Sequence, residues 1–521
     1  MAKYLLKRLF YGIICIIIVV AIVMVLIYSL LPKQRIFATD ATFTKVLNNT
    51  RETYMNQKWE DYGYQDYVTY QEYLGELVKR GELDEETRES VAKLGDTAEK
   101  DKPETAVLTK QFQEEYEAKG YTVTRLDTKK VGRKVVNGGN AAMFATRPKP
   151  LTDRLWKYFT GLLSIDSIHN VEEDIPDRGL TFTLYDPLAE GKFSPAIIGN
   201  GTTHKYLLYF DSEFPYIHQN IISIRLGMSY SVSSGVDVFD TMTRSQGSYV
   251  LRQVTFPTGL VESSADNLHT ATYMSGSRDS NMVAKDRFTD DYTNVDLYRA
   301  GRSKLGYSFI MGIISSAIAY CLGLPIGLLM ARQKDKFIDK LGTVYIIFLI
   351  AVPSLAYIFM LKAIGTRMGM PTTFDMDSPS KLIYVMPIIS LAMPTIANLM
   401  KWTRRYMIDQ MNSDYVKFAR SGGLTENEIF TKHILKNAAI PIVHGIPGTI
   451  LFAMVGAIIT ERVYVVPGAG NLLTEAINKY DNSVIVGVAL FYAVLSVLSL
   501  VLGDILMATV DPRISFSTKD R

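Results

Sequence analysis

Six stretches of this chain run for 19 to 27 residues without an Asp, Glu, Lys or Arg: Leu9–Pro32, Leu305–Ala331, Leu341–Leu361, Leu382–Met400, Asn437–Thr460 and Asn482–Gly503. A helix needs about 20 apolar residues to cross roughly 30 Å of hydrocarbon, so each run is long enough to span a bilayer. The loops between them must then alternate sides. The first run follows Lys7 and Arg8 and could be read as a signal peptide. Its 24 uncharged residues exceed the roughly 7 to 15 of a signal core, and PKQRIF offers no small-x-small cleavage site. An uncleaved anchor is therefore expected.

Positive charge near the span ends sets the orientation. With the N-terminus inside, the inner segments hold Lys3, Lys7, Arg8, Arg332, Lys334, Lys336, Lys340, the basic stretch around 401–436, Arg513, Lys519 and Arg521. The short outer loops 362–381 and 461–481 hold only Lys362, Arg367, Lys381, Arg462 and Lys479. Residues 33–304 are thus expected outside, 401–436 inside and the C-terminus inside. Charge divides the same way: residues 33–305 carry 34 Lys+Arg against 39 Asp+Glu, the remainder 22 against 14. Several spans contain Pro and Gly, namely Pro325, Pro353, Pro387, Pro394 and Pro447 with Gly445 and Gly448. They fit either ordinary membrane-helix kinks or helices lining a path that opens and closes.

The outer region reads as one mixed α and β domain. Residues 71–119 have helical composition interrupted by PET at 103–105, whereas TFTLYD (181–186) and KYLLYF (205–210) have strand composition. Five tyrosines at 62, 64, 67, 70 and 73 form a half-buried wall or, less simply, a stacking surface for a peptide or protein. The two cysteines, Cys15 and Cys321, lie in apolar runs, so this region is expected to fold without disulfides.

No G-x-S-x-G, H-E-x-x-H or C-x-x-C occurs, and the six histidines at 169, 204, 218, 269, 433 and 444 have no metal-ligand spacing. Neither a catalytic residue nor a metal site is expected, and nothing points to nucleic acid. No G-x-x-x-x-G-K-[ST] loop is present, so any ATP used must bind another chain.

The inner stretch DYVKFARSGGLTENEIFTKHILKNAAIP (414–441) is too charged to enter a membrane. Tyr415, Phe418, Ala419 and Gly422 recur at i, i+3, i+4 and i+7, an apolar face of a short helix. Gly422 and Gly423 suit the left-handed turn that stops it, and Thr425 with Glu428 offers a capping box for a second helix. Such a helix could lie on lipid headgroups, but tightly spaced small residues suit a protein groove better.

The stretch resembles the coupling loop of ABC-importer permeases of the peptide and nickel branch. It matches at Asp414, Tyr415, Val416, Ala419, Arg420, Gly423, Leu424, His433, Leu435, Asn437, Ala438 and Pro441, and departs at Ser421 and Gly422, where the family usually has Ala and Lys. ERVYVVPGAGNLL (461–473) and GDILMATVDPRI (503–514) resemble two further motifs of that family, in order. The enlarged segment between the first two spans, with LWKYFTGLL (155–163) and IRLGMSYSVSSGVDVFDTMTRSQ (224–246), resembles oligopeptide permease subunits of streptococci and lactococci.

The resemblance implies a type I importer permease fold: an α-helical polytopic membrane protein with six transmembrane helices and a large extracellular α+β domain between helices 1 and 2. The expected units are an anchor (1–32), the extracellular domain (33–304) and a five-helix transmembrane domain (305–521) with its coupling loop at 401–436. It implies ATPase docking by Asp414, Tyr415, Phe418, Ala419, Arg420, Gly423 and Leu424, and structural motif roles for Glu461, Pro467, Gly468, Gly470, Asp504, Asp511, Pro512 and Arg513. Asp504, ionisable at membrane depth, is either functional or held by a nearby cation. Implied partners are a second homologous permease, two ATP-binding subunits carrying ATP and Mg, an extracellular substrate-binding lipoprotein, an oligopeptide and membrane lipid, all at a bacterial cytoplasmic membrane. The competing class is a membrane-anchored receptor or peptide-processing enzyme using residues 33–304.

Overall fold

The computed structural model describes residues 2–95, 102–128, 130–131, 134–135, 141–165, 179–189, 192–200, 205–210, 216–273, 286–288, 293–376, 378 and 380–510. Asp511, Pro512 and Arg513 lie outside the described residues, as do His169 and His204.

Helix α1 (Ala2–Leu30) opens the chain and shows most of its apolar surface, as a lipid-facing helix does. The polar region that follows begins with α2 (Asn48–Asp61), β1 (Gln65–Thr69), α3 (Tyr70–Lys79), α4 (Pro103–Ala118), β2 (Thr122–Leu126) and β3 (Ala142–Pro148). These strands form an antiparallel sheet in the order β1-β3-β2. Its core is aromatic: Tyr70, Tyr73, Phe112 and Tyr116 pack edge to face or tilted at centroid distances of 4.8 to 6.0 Å. Each such pair adds about 0.5–1.5 kcal/mol beyond its buried area. The tyrosine run is therefore a wall, with Tyr64, Tyr67, Tyr70 and Tyr73 all buried. The Thr69–Glu72 capping box starts α3 in the middle of it. PET at 103–105 does not interrupt a helix but begins one, because Pro103 occupies the first turn, where its missing N–H costs nothing.

After α5 (Leu151–Gly161) come β4 (Gly179–Thr183), β5 (Ala196–Asn200), β6 (Tyr206–Phe210) and β7 (Ile217–Gln219), an antiparallel sheet in the order β7-β6-β5-β4. The two stretches read as strands from their aromatic content fall on β4 and β6. Part of the polar region does not stand apart from the membrane helices. Leu226, Val238 and Met242 share one core with Val20 and Met24 of α1 and with Val484, Val486 and Val488 near the chain's last helix.

From residue 304 on, the α-helices of eight residues or more among the described residues are α6 (Lys304–Arg332), α7 (Phe337–Ala351), α8 (Ser354–Arg367), α9 (Val385–Met411), α10 (Asp414–Ser421), α11 (Leu435–His444), α12 (Ile446–Tyr464), α13 (Ala469–Asn478) and α14 (Asn482–Val510). Among the described residues five helical segments are long and apolar enough to cross a membrane: α1, α6, Lys381–Met411 ending in α9, α12 and α14. Helices α7 and α8 make a sixth crossing only if taken together, and they meet at 110°. The run Leu341–Leu361 is thus not one straight span. Pro353 has no N–H to continue the ladder and drives Val352 out of helical geometry, to φ −84° and ψ 126°. Pro325 and Pro394 lie inside unbroken helices.

The run Asn437–Thr460 differs too. Its first third, with Pro441, belongs to α11, Gly445 separates the two helices, and α12 continues past Thr460 to include the charged Glu461. That carboxylate can lie within a helix of this kind because protein atoms, not lipid, surround it.

Helices α6 and α9 cross closely because two glycines remove the side chains between them. A Cβ on Gly323 would sit 2.9 Å from Leu399 Cβ, and one on Gly327 would sit 2.9 Å from Thr403 Cβ and 3.0 Å from the Met400 carbonyl. Gly323-x-x-x-Gly327 is thus a small-residue contact of the kind that lets membrane helices meet backbone to backbone.

Candidate functional site

The charged loop folds as a helix, a glycine turn and a second helix. Helix α10 ends at Gly422, whose φ of −76° suits any residue, and the chain reverses at Gly423, whose φ of +83° favours glycine. A side chain at Gly422 would meet only ordinary contacts, 3.4 Å from the Ala419 carbonyl oxygen. The departure from the family pattern at 422 therefore leaves the turn intact. Thr425 Oγ1 accepts from the Glu428 amide, while Glu428 Oε2 accepts from the Thr425 amide, so the capping box is complete. A single π turn, Ile429–Ile434, then leads into α11.

Tyr415, Phe418, Ala419 and Gly422 do not form one buried face. Val416 is the buried residue of α10, with Tyr415, Ala419 and Leu424 half-buried beside it. These pack on Ala331 at the end of α6, Met407 near the end of α9, and Ile429, Ile434 and Ala438. Phe418 lies on the other side and is 80% exposed. Around it, Asp414 pairs with Lys417 (2.8 Å), and Arg420 makes a two-pronged contact with Glu426 (2.6 and 3.1 Å). Those bonds hold the Glu426 carboxyl below the usual range, and the Thr425 hydroxyl and amide do the same for Glu428. The turn's charges are satisfied locally and its one large apolar side chain is left bare.

The motif at 461–473 encloses a carboxylate. Glu461, fully buried, accepts from Ser308 Oγ of α6 (2.6 Å) and from the Asn471 amide (2.9 Å). Ser308 Oγ in turn accepts from the Ala469 amide (2.8 Å). The turn after Pro467 passes so close that a Cβ on Gly468 would overlap the Glu461 carboxyl, and one on Gly470 would come within 2.6 Å of Ile458. Glu461, Gly468 and Gly470 are thus one unit that ties α13 to α6 and α12.

Asp504, buried near the C-terminal end of α14, pairs with Arg8 Nε of α1 (2.7 Å) and accepts from the Tyr4 hydroxyl (3.2 Å). The carboxylate is held by a cation. It links the first helix to the last, which also touch where Gly12 faces Val497.

Two further ionic contacts carry no sequence motif. Asp339 of α7 binds Arg404 of α9 through two bonds, 2.5 and 2.8 Å, beside the loop. On the opposite side, the fully buried Asp481 accepts through one oxygen from Ser229 Oγ (2.7 Å) and from the amides of Tyr230, Ser231 and Val232 (2.9 to 3.1 Å). Next to it, the Asn482 amide donates to the Tyr230 hydroxyl, and Asn482 Nδ2 to Tyr64 OH (2.6 Å). This junction fastens the 226–243 segment to the start of α14. Spacing could have shown Gly323-x-x-x-Gly327 in advance, but nothing local marks Asp481 or Asp339, whose partners are far away in sequence. Among the described residues no group of three or more His, Cys, Asp or Glu could hold a metal ion.

The architecture is that of a multi-helix membrane component with a charged turn bearing an exposed Phe418 at one end. A family model described as the binding-protein-dependent transport system inner membrane component matches residues 323–516. The oligopeptide transport system permease protein AmiC of Streptococcus pneumoniae is 33% identical over 100% of this chain and 99% of its own length. The dipeptide transport system permease protein DppB of Bacillus subtilis is 27% identical, over 41% of this chain and 68% of its own. Among solved structures, a chain of the MetNI methionine ABC transporter matches 39% of this chain and 93% of its own at 16% identity, with a TM-score of 0.33. This chain belongs to the family of inner-membrane components of binding-protein-dependent transport systems.

Proposed function

We propose that this chain is the permease subunit of an ATP-driven importer that moves oligopeptides across the cytoplasmic membrane. Full-length similarity to AmiC supports the substrate class. The observation that carries the mechanism is Phe418, bare on a helix whose other face is anchored to α6 and α9. In this reading α7 and α8 together make the second of five spans after the anchor, giving six crossings. Both termini and the 414–441 loop are inside, and residues 33–304 are outside. ATP and Mg are bound by two partner ATPases, a second homologous permease completes the pathway, and this chain itself needs no cofactor.

Phe418 enters a cleft of one ATPase, with Asp414, Arg420 and Gly423 shaping the turn that presents it. Closure of the ATPases pushes the turn, and Val416 transmits the push to Met407 and Ala331. Helices α6 and α9 move together because their glycine contact leaves no room to slide, and α7 follows through Asp339–Arg404. Glu461 keeps the outer ends of α6, α12 and α13 in register, and Asp504 ties the inner ends of α1 and α14. Cross-linking tests the docking: Phe418→Cys in the whole complex should join to an ATPase subunit, with a yield that changes with nucleotide. Cross-links to lipid alone would contradict it.

The outer region is read as the face that receives the substrate-binding lipoprotein, and exposed Leu180, Phe182 and Tyr185 on and beside β4 support this. Unchanged uptake after charge substitution at Phe182 and Tyr185 would contradict it.

A further inference from the structure

A cleft of about 640 Å³ opens where the polar region meets the outer ends of α1 and α14. Its floor is apolar, from Met24 of α1, Leu226 and Val486, and its rim is ionic, from Arg154 and Lys157 of α5 with Asp153 beside them. That volume falls within the range of small-molecule sites. Helix α5 turns Leu155, Tyr158 and Phe159 onto the core shared with α1 and α14, and leaves Trp156 74% exposed. An amphipathic helix with an outward tryptophan at the end of a spanning helix sits where headgroups meet hydrocarbon.

Arg154 is the unusual residue. Its guanidinium lies over the rings of Tyr64 (4.7 Å) and Tyr28 (5.2 Å), and Nη2 donates to the Tyr64 carbonyl. Its Nε is buried without a hydrogen-bond partner, and so is the Tyr158 hydroxyl, a residue that also lines the cleft. No carboxylate pairs with Arg154 among the described residues. Of the other cleft carboxylates, Asp66 is engaged by Arg147 and Lys149 and Asp61 by Lys58, while Asp153 accepts from the Thr152 hydroxyl (3.4 Å) and makes no ion pair among the described residues. A partly buried arginine with an unused N–H, beside an unused hydroxyl donor, lacks an anion. The bidentate habit of guanidinium suits a phosphate.

We propose that this cleft binds the phosphate of an anionic phospholipid from the outer leaflet. Arg154 Nε, Tyr158 OH and the Lys157 ammonium are its donors, and Met24, Leu226 and Val486 hold the start of an acyl chain. The proposal rests on the outward orientation given above. It makes the junction between the polar region and α1 a lipid-filled joint.

The test uses the whole importer complex, stripped of lipid and titrated with short-chain phosphatidylglycerol, phosphatidylcholine, inorganic phosphate or an oligopeptide, read by native mass spectrometry. Phosphatidylglycerol should be retained over phosphatidylcholine, and roughly tenfold less tightly in Arg154→Gln, as loss of one charge-assisted bond predicts. Lys157→Glu, at an exposed position, should weaken retention without any threat to folding. Equal retention in all variants would overturn the proposal. So would displacement by oligopeptide, which marks a peptide site, or competition by phosphate alone as strong as by lipid, which marks a free-anion site. Trp156→Cys labelled in cells by a membrane-impermeant maleimide checks the orientation separately. Labelling only after permeabilisation would sink the topology, while lipid retention is still read on its own.

Discussion

The two ends of this molecule are built on opposite plans. At the junction with the polar region a single buried carboxylate, Asp481, gathers a hydroxyl and three amides from the 229–232 segment, and Asn482 and Tyr230 pack around it. At the 414–428 turn the charges pair with near neighbours, Asp414 with Lys417 and Arg420 with Glu426, and the largest apolar side chain faces away from the chain. The first arrangement gives the carboxylate its partners inside the chain, so it is fixed, although Asn482 Oδ1 beside it is buried without a hydrogen-bond partner. The second leaves Phe418 exposed, and in the proposed docking that side chain meets a surface supplied by a partner. Substitutions should therefore cost stability at one end and coupling at the other.

The largest stability effect is expected at the junction. Asp481→Ala strands one hydroxyl and three amides in a dry site, a loss of about 3–5 kcal/mol by the logic of an unpaired buried ionic group. Thermal unfolding in detergent and limited proteolysis of residues 226–243 would register it. Wild-type behaviour in both would show that the apolar contacts alone hold the segment. Next comes the helix crossing: Gly327→Val must displace Thr403 and the Met400 carbonyl, costing about 1–3 kcal/mol, with uptake impaired through the altered α6–α9 approach.

A smaller effect, but one that speaks to transmission, is expected at Asp339–Arg404. Asp339→Asn and Arg404→Gln should each loosen the coupling of ATP hydrolysis to uptake. A double-mutant cycle should give about 0.5–3 kcal/mol of interaction between residues in direct contact. Strict additivity would remove the pair from the mechanism.

The smallest effects belong to the turn's own scaffold. Thr425→Ala removes one cap, about 1 kcal/mol locally, and should speed amide exchange at 426–428. Glu426 and Glu428 have lowered carboxyl pKa values in the folded turn. The stability they add is present above the ordinary Glu value of about 4.3 and fades as pH falls through the lowered ones. Amide protection in the turn, measured against the intrinsic exchange rate at each pH, should then fall only under acid conditions.

Charge-free run length and the placement of Lys and Arg made much of the helical plan legible, because the cost of burying charge in hydrocarbon acts over any sequence context. It misled at Pro353, where a run of sufficient length bends by 110°, and at Glu461, where a charge stays within a helix behind a glycine cradle. The cap at Thr425 and the stop at Gly423 were readable since both are local rules. Phe418 was named through the resemblance, but its separation from Tyr415 and Ala419 was not readable, for i, i+3, i+4 spacing groups residues on one side of a helix without saying where the buried line through Val416 runs. Asp481 and Asp339 were hidden for another reason: a carboxylate acquires meaning only from the far segment that folds onto it.

The most direct test of the central claim is Phe418→Asp in the assembled importer, with thermal stability, peptide uptake and peptide-stimulated ATP hydrolysis measured on one preparation. An exposed side chain that serves only a partner should change stability by no more than about 0.5 kcal/mol. Uptake and stimulated hydrolysis should both collapse. Normal uptake with a charge at this position would contradict the docking role of the turn.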